Sequence, residues 1–298
     1  MAVEKILADE LISKIKGIQI KAAHLANDVF AGEYASAFKG RGLEFEEVRE
    51  YLPGDDVRSI DWNVSARFDK PYIKTYRDER ELTVVFMVDA SASTQFGTQH
   101  KFKSEILGEI TGLLAYTALR SNDKVGLLIF TDQVELFIPP RKGTAHIWRL
   151  IKEILIFQAK RQHTNFAVGL EYLNRCIKRK AIVFLLSDFQ EDGYQQQLRA
   201  MGKKHDVIAL SLYDRKELEL PAIGYVEFED LESGETIIVN TSDRRFNRNF
   251  KEKKTRILEA QKSFFRQVGV DLLQIETDEY YLEPIVKFFR LREKRKLR

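Results

Sequence analysis

A short apolar run that ends in an aspartate, Val84–Asp89, constrains the fold of this chain more than any other segment. Consecutive apolar residues, several of them β-branched, predict a strand of a parallel sheet that is covered on both faces. Two serines follow at alternate positions, Ser91 and Ser93. In open α/β sheets the loops at the carboxyl ends of the strands form the binding crevice. The segment therefore predicts that Asp89, Ser91 and Ser93 lie at the functional edge of such a sheet.

A hydroxyl group and a second carboxylate follow later in the chain. Thr164 precedes a helical stretch, Phe166–Leu170, and the apolar run Ala181–Ser187 ends at Asp188. Carboxylate and hydroxyl oxygens are hard ligands that suit Mg²⁺ or Mn²⁺ and are poorly matched to zinc or copper. Aspartate or serine after a strand is also a common cap of the next helix. At the level of single residues both interpretations stay open.

Taken in order, Asp89, Ser91, Ser93, Thr164 and Asp188 resemble the metal-ion-dependent adhesion site (MIDAS) of von Willebrand factor A-type (vWA) domains. The resemblance implies one bound Mg²⁺ or Mn²⁺. It also implies that the three hydroxyl groups bind the ion directly, and that the two carboxylates act directly or through water. The exchangeable position of such an ion accepts an acidic side chain from another protein.

Upstream segments resemble the signature of a bacterial family with such a domain, domain-of-unknown-function family fifty-eight (DUF 58). The segments are Gly40–Phe45, Tyr51–Trp62 and Ala66–Arg67. This resemblance implies a partner of the MoxR-type AAA+ ATPase class, or a client protein that presents an acidic side chain. Trp62 beside the turn at Pro53 is expected to be a packing anchor, because one indole ring buries a large area.

Alternating strands and helices predict an α/β fold, a vWA-like, Rossmann-type doubly wound and mostly parallel sheet, over residues 81–298. Val134–Ile138 follows Val125–Phe130 closely enough to be its antiparallel partner at one edge. Residues 1–80 are expected to form an N-terminal extension, with helices from Glu4 to about Phe30 followed by a β-rich segment. A β-hairpin insertion is predicted at about 214–245.

Cysteine content and hydropathy suggest a compartment. The only cysteine is Cys176, which lies in a helical pattern and is expected to be a packed thiol in a reducing environment. No apolar run approaches the roughly 20 residues that span a bilayer. The sequence therefore predicts a cytoplasmic protein without a membrane span.

The net charge of +3 depends on the end of the chain. Lys287–Arg298 holds seven basic residues and one acidic residue, so the rest of the chain has 41 basic and 44 acidic residues, a net charge of −3. A body with this balance lacks the basic surface that phosphate backbones require. Nucleic acid is therefore not the expected partner.

An enzymatic interpretation, a Mg²⁺-dependent phosphohydrolase or other hydrolase, is the alternative. It requires a placed general base and groups that bind phosphate. The nearest histidines are His100 and His163, and His163 is expected to position Thr164. The chain has neither a P-loop nor a dinucleotide-binding glycine motif. We therefore predict a non-enzymatic, metal-dependent interaction module.

Overall fold

A six-stranded sheet forms the centre of the protein in the computed structural model. The structure describes residues 17, 30–38, 44–68, 70–77, 81–97, 101–231 and 234–296. The predicted helices before Phe30, apart from Gly17, lie outside these residues. So do His100 and the start of the signature segment at Gly40.

The elements follow the predicted alternation closely. In chain order they are α1 (Phe30–Phe38), β1 (Glu44–Glu50), α2 (Trp62–Phe68), β2 (Tyr72–Arg77), β3 (Thr83–Asp89), α3 (Lys103–Arg120), β4 (Lys124–Phe130), β5 (Val134–Arg141), α4 (Thr144–Ile156), α5 (Phe166–Cys176), β6 (Ile182–Ser187), α6 (Gln195–Lys204), β7 (Asp206–Tyr213), α7 (Arg215–Leu218), β8 (Tyr225–Glu229), β9 (Thr236–Asn240), α8 (Arg244–Gln267), β10 (Asp271–Glu276) and α9 (Leu282–Lys296).

The strand order in the central sheet is β10-β7-β6-β3-β4-β5. All neighbouring strands are parallel except β5, which is antiparallel to β4. The predicted doubly wound, mostly parallel sheet with an antiparallel edge strand is confirmed. Strand β3 lies between β4 and β6, with Val88 opposite Ile129 and Leu186. Asp89 therefore leaves the middle of the sheet at its carboxyl edge.

Both faces of the central strands are buried under helices. Val84 and Phe86 face a layer that includes α3, α4 and α9, whereas Val85 and Met87 face the opposite layer with α5 and α6. Each of these four side chains is fully buried. A strand covered on both sides has no polar face, which explains why the sequence of β3 shows no alternation.

Helix α1 is part of the main core. The Tyr34 and Phe38 rings contact Phe289 of α9 at centroid distances of 6.1 and 5.5 Å. The Tyr34 hydroxyl donates a hydrogen bond to Asp123 Oδ2 at 3.3 Å. Helix α1, a described part of the N-terminal extension, thus packs in the main core, while the division near residue 80 stays a prediction.

The basic end of the chain is folded into helix α9 up to Lys296. Arg292 is buried, and its guanidinium binds the carboxylates of Asp206 and Asp271 on the two neighbouring strands β7 and β10. This segment therefore contributes a structural ion pair as well as exposed positive charge.

The predicted hairpin insertion is confirmed as a separate antiparallel pair, β8 and β9, with Glu229 opposite Thr236. Two side-chain expectations were wrong. Trp62 is 68% exposed, so it is not a packing anchor. Cys176 is exposed at the end of α5, because the buried stripe of that helix passes through Leu170 and Leu173 instead.

Candidate metal centre

The predicted ligands meet at the carboxyl edge of the sheet. Ser91 Oγ and Ser93 Oγ are 3.1 Å apart, and Asp89 Oδ1 accepts a hydrogen bond from Ser91 N at 2.9 Å. Ser93, Thr164 and Asp188 line the same cleft of about 380 Å³. The structure thus gathers side chains that come from three separate loops.

Local hydrogen bonds hold the two serines. After β3 the chain turns into a 3₁₀ turn, Ala92–Gln95, with Ser91 at its N-cap position. Thr94 Oγ1 donates to the Ser91 carbonyl at 2.8 Å. Ser91 is fully buried, whereas Ser93 is partly exposed to the cleft. This turn fixes the two hydroxyl groups on the same side of the loop.

The loop that carries Thr164 is bound to the neighbouring segments on both sides. The Gln162 carbonyl accepts from Ala92 N at 2.9 Å, and Asn165 N donates to the Thr131 carbonyl at 3.0 Å. Asn165 Oδ1 then caps α5 by accepting from Val168 N at 3.3 Å. Capping is thus performed by Asn165, which leaves Thr164 on the wall of the cleft.

The pKa of Asp89 is shifted far from its ordinary value. Burial and, to a smaller extent, the negative charge of Asp188 raise the pKa of this carboxyl group from 3.8 to about 7. Hydrogen bonds from Ser187 Oγ, at 2.6 Å, and from Ser91 oppose the shift without cancelling it. The ionised form of Asp89 is disfavoured beside the second carboxylate, and a divalent cation bound by Ser91 and Ser93 would favour it by supplying positive charge. The donor set fits Mg²⁺ or Mn²⁺.

One buried cation already lies in the site, and the sequence interpretation missed it. Lys103 at the start of α3 is fully buried. Its Nζ donates to Asp188 Oδ2 at 3.1 Å and to Glu217 Oε1 at 2.6 Å. The available signal was helical spacing, since Lys103 lies on the same buried stripe as Ile106 and Ile110.

The chain beyond Asp188 adopts an unusual backbone conformation. Phe189 has φ = +53°, in the left-handed region that non-glycine residues rarely occupy. Its ring stacks on Phe166 at 4.9 Å, and its N–H donates to Ser187 Oγ at 3.0 Å. Packing thus stabilises the turn that directs Asp188 and Gln190 into the cleft. Such strain concentrates at functional sites.

The tip of the β8–β9 hairpin forms another wall of the cleft. Glu229, Asp230 and Leu231 line it together with Glu191 and Glu217. Acidic side chains therefore surround the candidate ion position. The hairpin, whose role the sequence left open, is thus adjacent to the metal centre.

Other parts of the described structure offer less chemistry. A larger groove of about 1000 Å³ lies along β10 between α8 and α9, and it contains none of the predicted ligands. Within the described residues, no three His, Cys, Asp or Glu side chains are grouped closely enough to hold a metal ion.

Comparison with known proteins identifies the family. The model of the family described as protein of unknown function DUF58 matches residues 47–260. The chain belongs to the DUF58 family. A relative described as uncharacterized protein Rv1480, from Mycobacterium tuberculosis, is 27% identical over 288 residues, covering 96% of this chain and 90% of the relative.

Several solved structures are similar to this DUF58 protein at low sequence identity. The protein BatB from Bacteroides thetaiotaomicron has a TM-score of 0.49 and 15% identity, covering 72% of this chain and 99% of BatB. An aerotolerance-related membrane protein from Bacteroides fragilis has a TM-score of 0.47 and 13% identity, with the same two coverages. The vWA domain of SpRpn10 has a TM-score of 0.40 and 11% identity, covering 69% and 94%.

The predicted cytoplasmic location is contradicted by this comparison. The similar structures include proteins described as membrane proteins, the one from Bacteroides fragilis and a membrane spanning protein from Vibrio fischeri. The prediction was wrong because a single cysteine and short apolar runs report on disulfides and membrane spans, and they do not fix the location of a protein. Along the described part of the chain, no helix has both the length and the apolar character needed to cross a bilayer.

Proposed function

We propose that this DUF58 protein is a non-enzymatic interaction module that binds one Mg²⁺ or Mn²⁺ and uses it to hold an acidic side chain of a partner protein. One observation carries the proposal. The Ser91 and Ser93 hydroxyl groups face each other, and Ser93 and Thr164 line a common cleft. The buried residues Asp89 and Asp188 lie beside them. This is the donor set that the resemblance to the adhesion site implies.

The chemistry follows from the ligands. Neutral hydroxyl groups donate less charge to the ion than carboxylates do, so the bound Mg²⁺ stays strongly electrophilic. Mg²⁺ prefers six oxygen ligands at about 2.0–2.1 Å and keeps several waters. A partner carboxylate can replace one of these waters where the cleft opens beside Ser93 and Thr164. The resulting contact is short and charge-assisted, and it selects for an acidic group at one point of the partner surface.

Affinity also requires contact area around that point. The β8–β9 hairpin, whose tip lines the cleft, carries exposed apolar side chains on both faces, Tyr225 and Ile238 on one and Ile237 on the other, exposed by 78%, 72% and 62%. Large exposed apolar side chains on one element are a feature of interaction surfaces. The hairpin is therefore the surface that we expect to surround the metal bridge.

The proposed partner is a MoxR-type AAA+ ATPase or one of its client proteins, with a role in the assembly or maturation of protein complexes. Support comes from the resemblance of the signature segment Tyr51–Trp62. In the structure this segment is partly anchored by Asp55, whose carboxylate binds the Arg49 guanidinium at 2.7 and 2.8 Å. The client would present the acidic side chain to the metal ion.

Isothermal calorimetry with Mn²⁺ tests the metal site. We expect one binding event for the wild-type protein and none for a variant with Asp89→Ala and Ser91→Ala. Ser242→Ala, at an exposed serine near the hairpin, is the control and should bind as the wild type does. Equal affinity of the double variant and the wild type would contradict the assignment.

The partner is tested with a purified MoxR-type ATPase from the host. Chelation of the metal or Thr164→Ala should weaken the complex sharply, because the partner carboxylate would be left desolvated and unpaired. Raising salt from low to moderate concentration should cause only a modest loss, since a bridge to a partly buried ion is weakly screened. A complex that survives both chelator and Thr164→Ala would reject the metal-bridge mechanism.

A further inference from the structure

The Lys103 ammonium group is a positive charge at the site in addition to the proposed metal ion, and the proposed function gives it no role. Its side chain is fully buried, and among the described residues two carboxylates accept hydrogen bonds from its ammonium group, those of Asp188 and Glu217. The Nζ atom also lies 5.8 Å from the centre of the Phe96 ring. Hydrogen bonds hold this buried ammonium group in a defined position. The Asp188 side chain that it contacts is 3% exposed.

The carboxylate of Asp188 is divided between two neighbours. Oδ2 accepts a hydrogen bond from Lys103, while Oδ1 accepts a long hydrogen bond from Gln190 N at 3.4 Å. Asp188 also lines the cleft next to Ser93 and Thr164. An ion in the cleft and the ammonium of Lys103 would therefore bind the same carboxylate, and their positive charges would repel each other.

Glu217 determines how strongly the ammonium binds Asp188. It is fixed in place by the first turn of α7, where Oε2 accepts from Asp214 N at 3.0 Å and Oε1 remains for Lys103. Gln190 Nε2 donates both to Glu217 Oε1, at 3.0 Å, and to Asp188 Oδ2, at 3.3 Å. Two carboxylates thus share one ammonium group.

We propose that Lys103 competes with the divalent cation for Asp188, so that Lys103 and Glu217 together determine the metal affinity of the site. The inference rests on the proposed metal site. Lys103 weakens binding of the ion by neutralising Asp188, and Glu217 strengthens it by drawing the ammonium away. A purely structural lysine would act in the opposite direction, because its removal would loosen Asp188 and weaken binding.

The sign of the change in Mn²⁺ affinity tests the proposal. Lys103→Met keeps an unbranched apolar stem and removes the charge, and we expect Mn²⁺ to bind at least about tenfold more tightly, the usual effect of one neighbouring charge. Lys103→Arg keeps the charge and should stay close to the wild type. Glu217→Gln should weaken binding several-fold, because Lys103 then acts on Asp188 alone. Affinities are measured by calorimetry and by the Mn²⁺ electron paramagnetic resonance signal.

Two matched controls isolate this effect. Lys101→Met removes the same charge two residues earlier, from a lysine bound to Glu109 on the surface, and should leave the affinity unchanged. Glu229→Gln removes a carboxylate that lines the cleft without contacting Lys103, and should weaken binding less than Glu217→Gln does.

The outcomes separate the two proposals. If the wild type binds no Mn²⁺, or binds it equally after Asp89→Ala and Ser91→Ala, the metal site itself is wrong. If the wild type binds but Lys103→Met binds equally or more weakly, the competition is wrong. Should Lys103→Met fail to fold, Glu217→Gln decides, since an unchanged or tighter affinity there overturns the inference.

Discussion

Replacing Asp89 by asparagine should stabilise the metal-free protein, although it removes a residue of the candidate site. The carboxylate is buried next to Asp188, and its ionised form is costly without a cation. Asparagine keeps an oxygen that can accept from Ser91 N, and its amide can donate to Ser187 Oγ if that hydroxyl turns. The substitution therefore removes charge while preserving most of the geometry.

The size of the effect follows from the pKa of Asp89. Its value of about 7 in the folded protein lies about three pH units above the ordinary value of 3.8. At about 1.36 kcal/mol per pH unit, keeping this group ionised costs the folded state about 4 kcal/mol above neutral pH. Reorganising the Ser187 hydrogen bond offsets about 1 kcal/mol of the gain. We expect a net stabilisation of about 3 kcal/mol at pH 8.

Chemical denaturation at pH 8 with chelator measures this difference. Mn²⁺ should then raise the stability of the wild type by mass action and leave Asp89→Asn unchanged. Asp192→Asn makes the same acid-to-amide change at an exposed position and should shift neither measurement. A metal-free Asp89→Asn protein that is less stable than the wild type, or one that Mn²⁺ still stabilises, would refute the reasoning.

Further predictions concern the fold and the proposed surface. Burial, with a smaller contribution from Lys204, lowers the pKa of His205 to about 4 from 6.5, so the contribution of His205 to stability should fall as pH drops through this interval. His205→Asn removes that contribution, so its stability should rise relative to that of the wild type as pH falls from 6.5 to 4 in acid denaturation. Arg292→Met should lower the free energy of unfolding by about 3 kcal/mol in urea titrations, because Asp206 and Asp271 lose their shared partner. Tyr225→Ser should weaken the partner complex and leave Mn²⁺ affinity unchanged in calorimetry. Purified protein should show no Mg²⁺-dependent phosphatase, nuclease or ATPase turnover, and turnover abolished by Asp89→Ala would contradict the non-enzymatic proposal.

The sequence predicts the parts of this structure that depend on local pattern. Uninterrupted apolar runs such as Val84–Val88 exist because both faces of the strand are buried, so the parallel sheet could be read from them directly. The positions of Asp89, Ser91 and Ser93 at a strand end could be read the same way. The hairpin at Tyr225–Glu229 followed from two apolar segments around a polar turn.

Contacts between distant segments could not be predicted. Lys103 is 85 residues from Asp188 and 114 residues from Glu217, so no spacing rule connects them. From the sequence alone, a lysine at the start of an apolar helical stripe is indistinguishable from an exposed residue at the end of the helix. Likewise, nothing in the sequence of the polar hairpin turn indicates that Glu229 and Leu231 line the cleft.

A crystal structure of the protein grown with Mn²⁺, with anomalous data that locate the metal, tests the central claim most directly. The account predicts one anomalous peak at the carboxyl edge of the sheet, bound by Ser91 Oγ, Ser93 Oγ and Thr164 Oγ1, with Asp89 and Asp188 as ligands or one water away. A data set with no peak among these side chains, or with manganese bound only elsewhere on the protein, would contradict it.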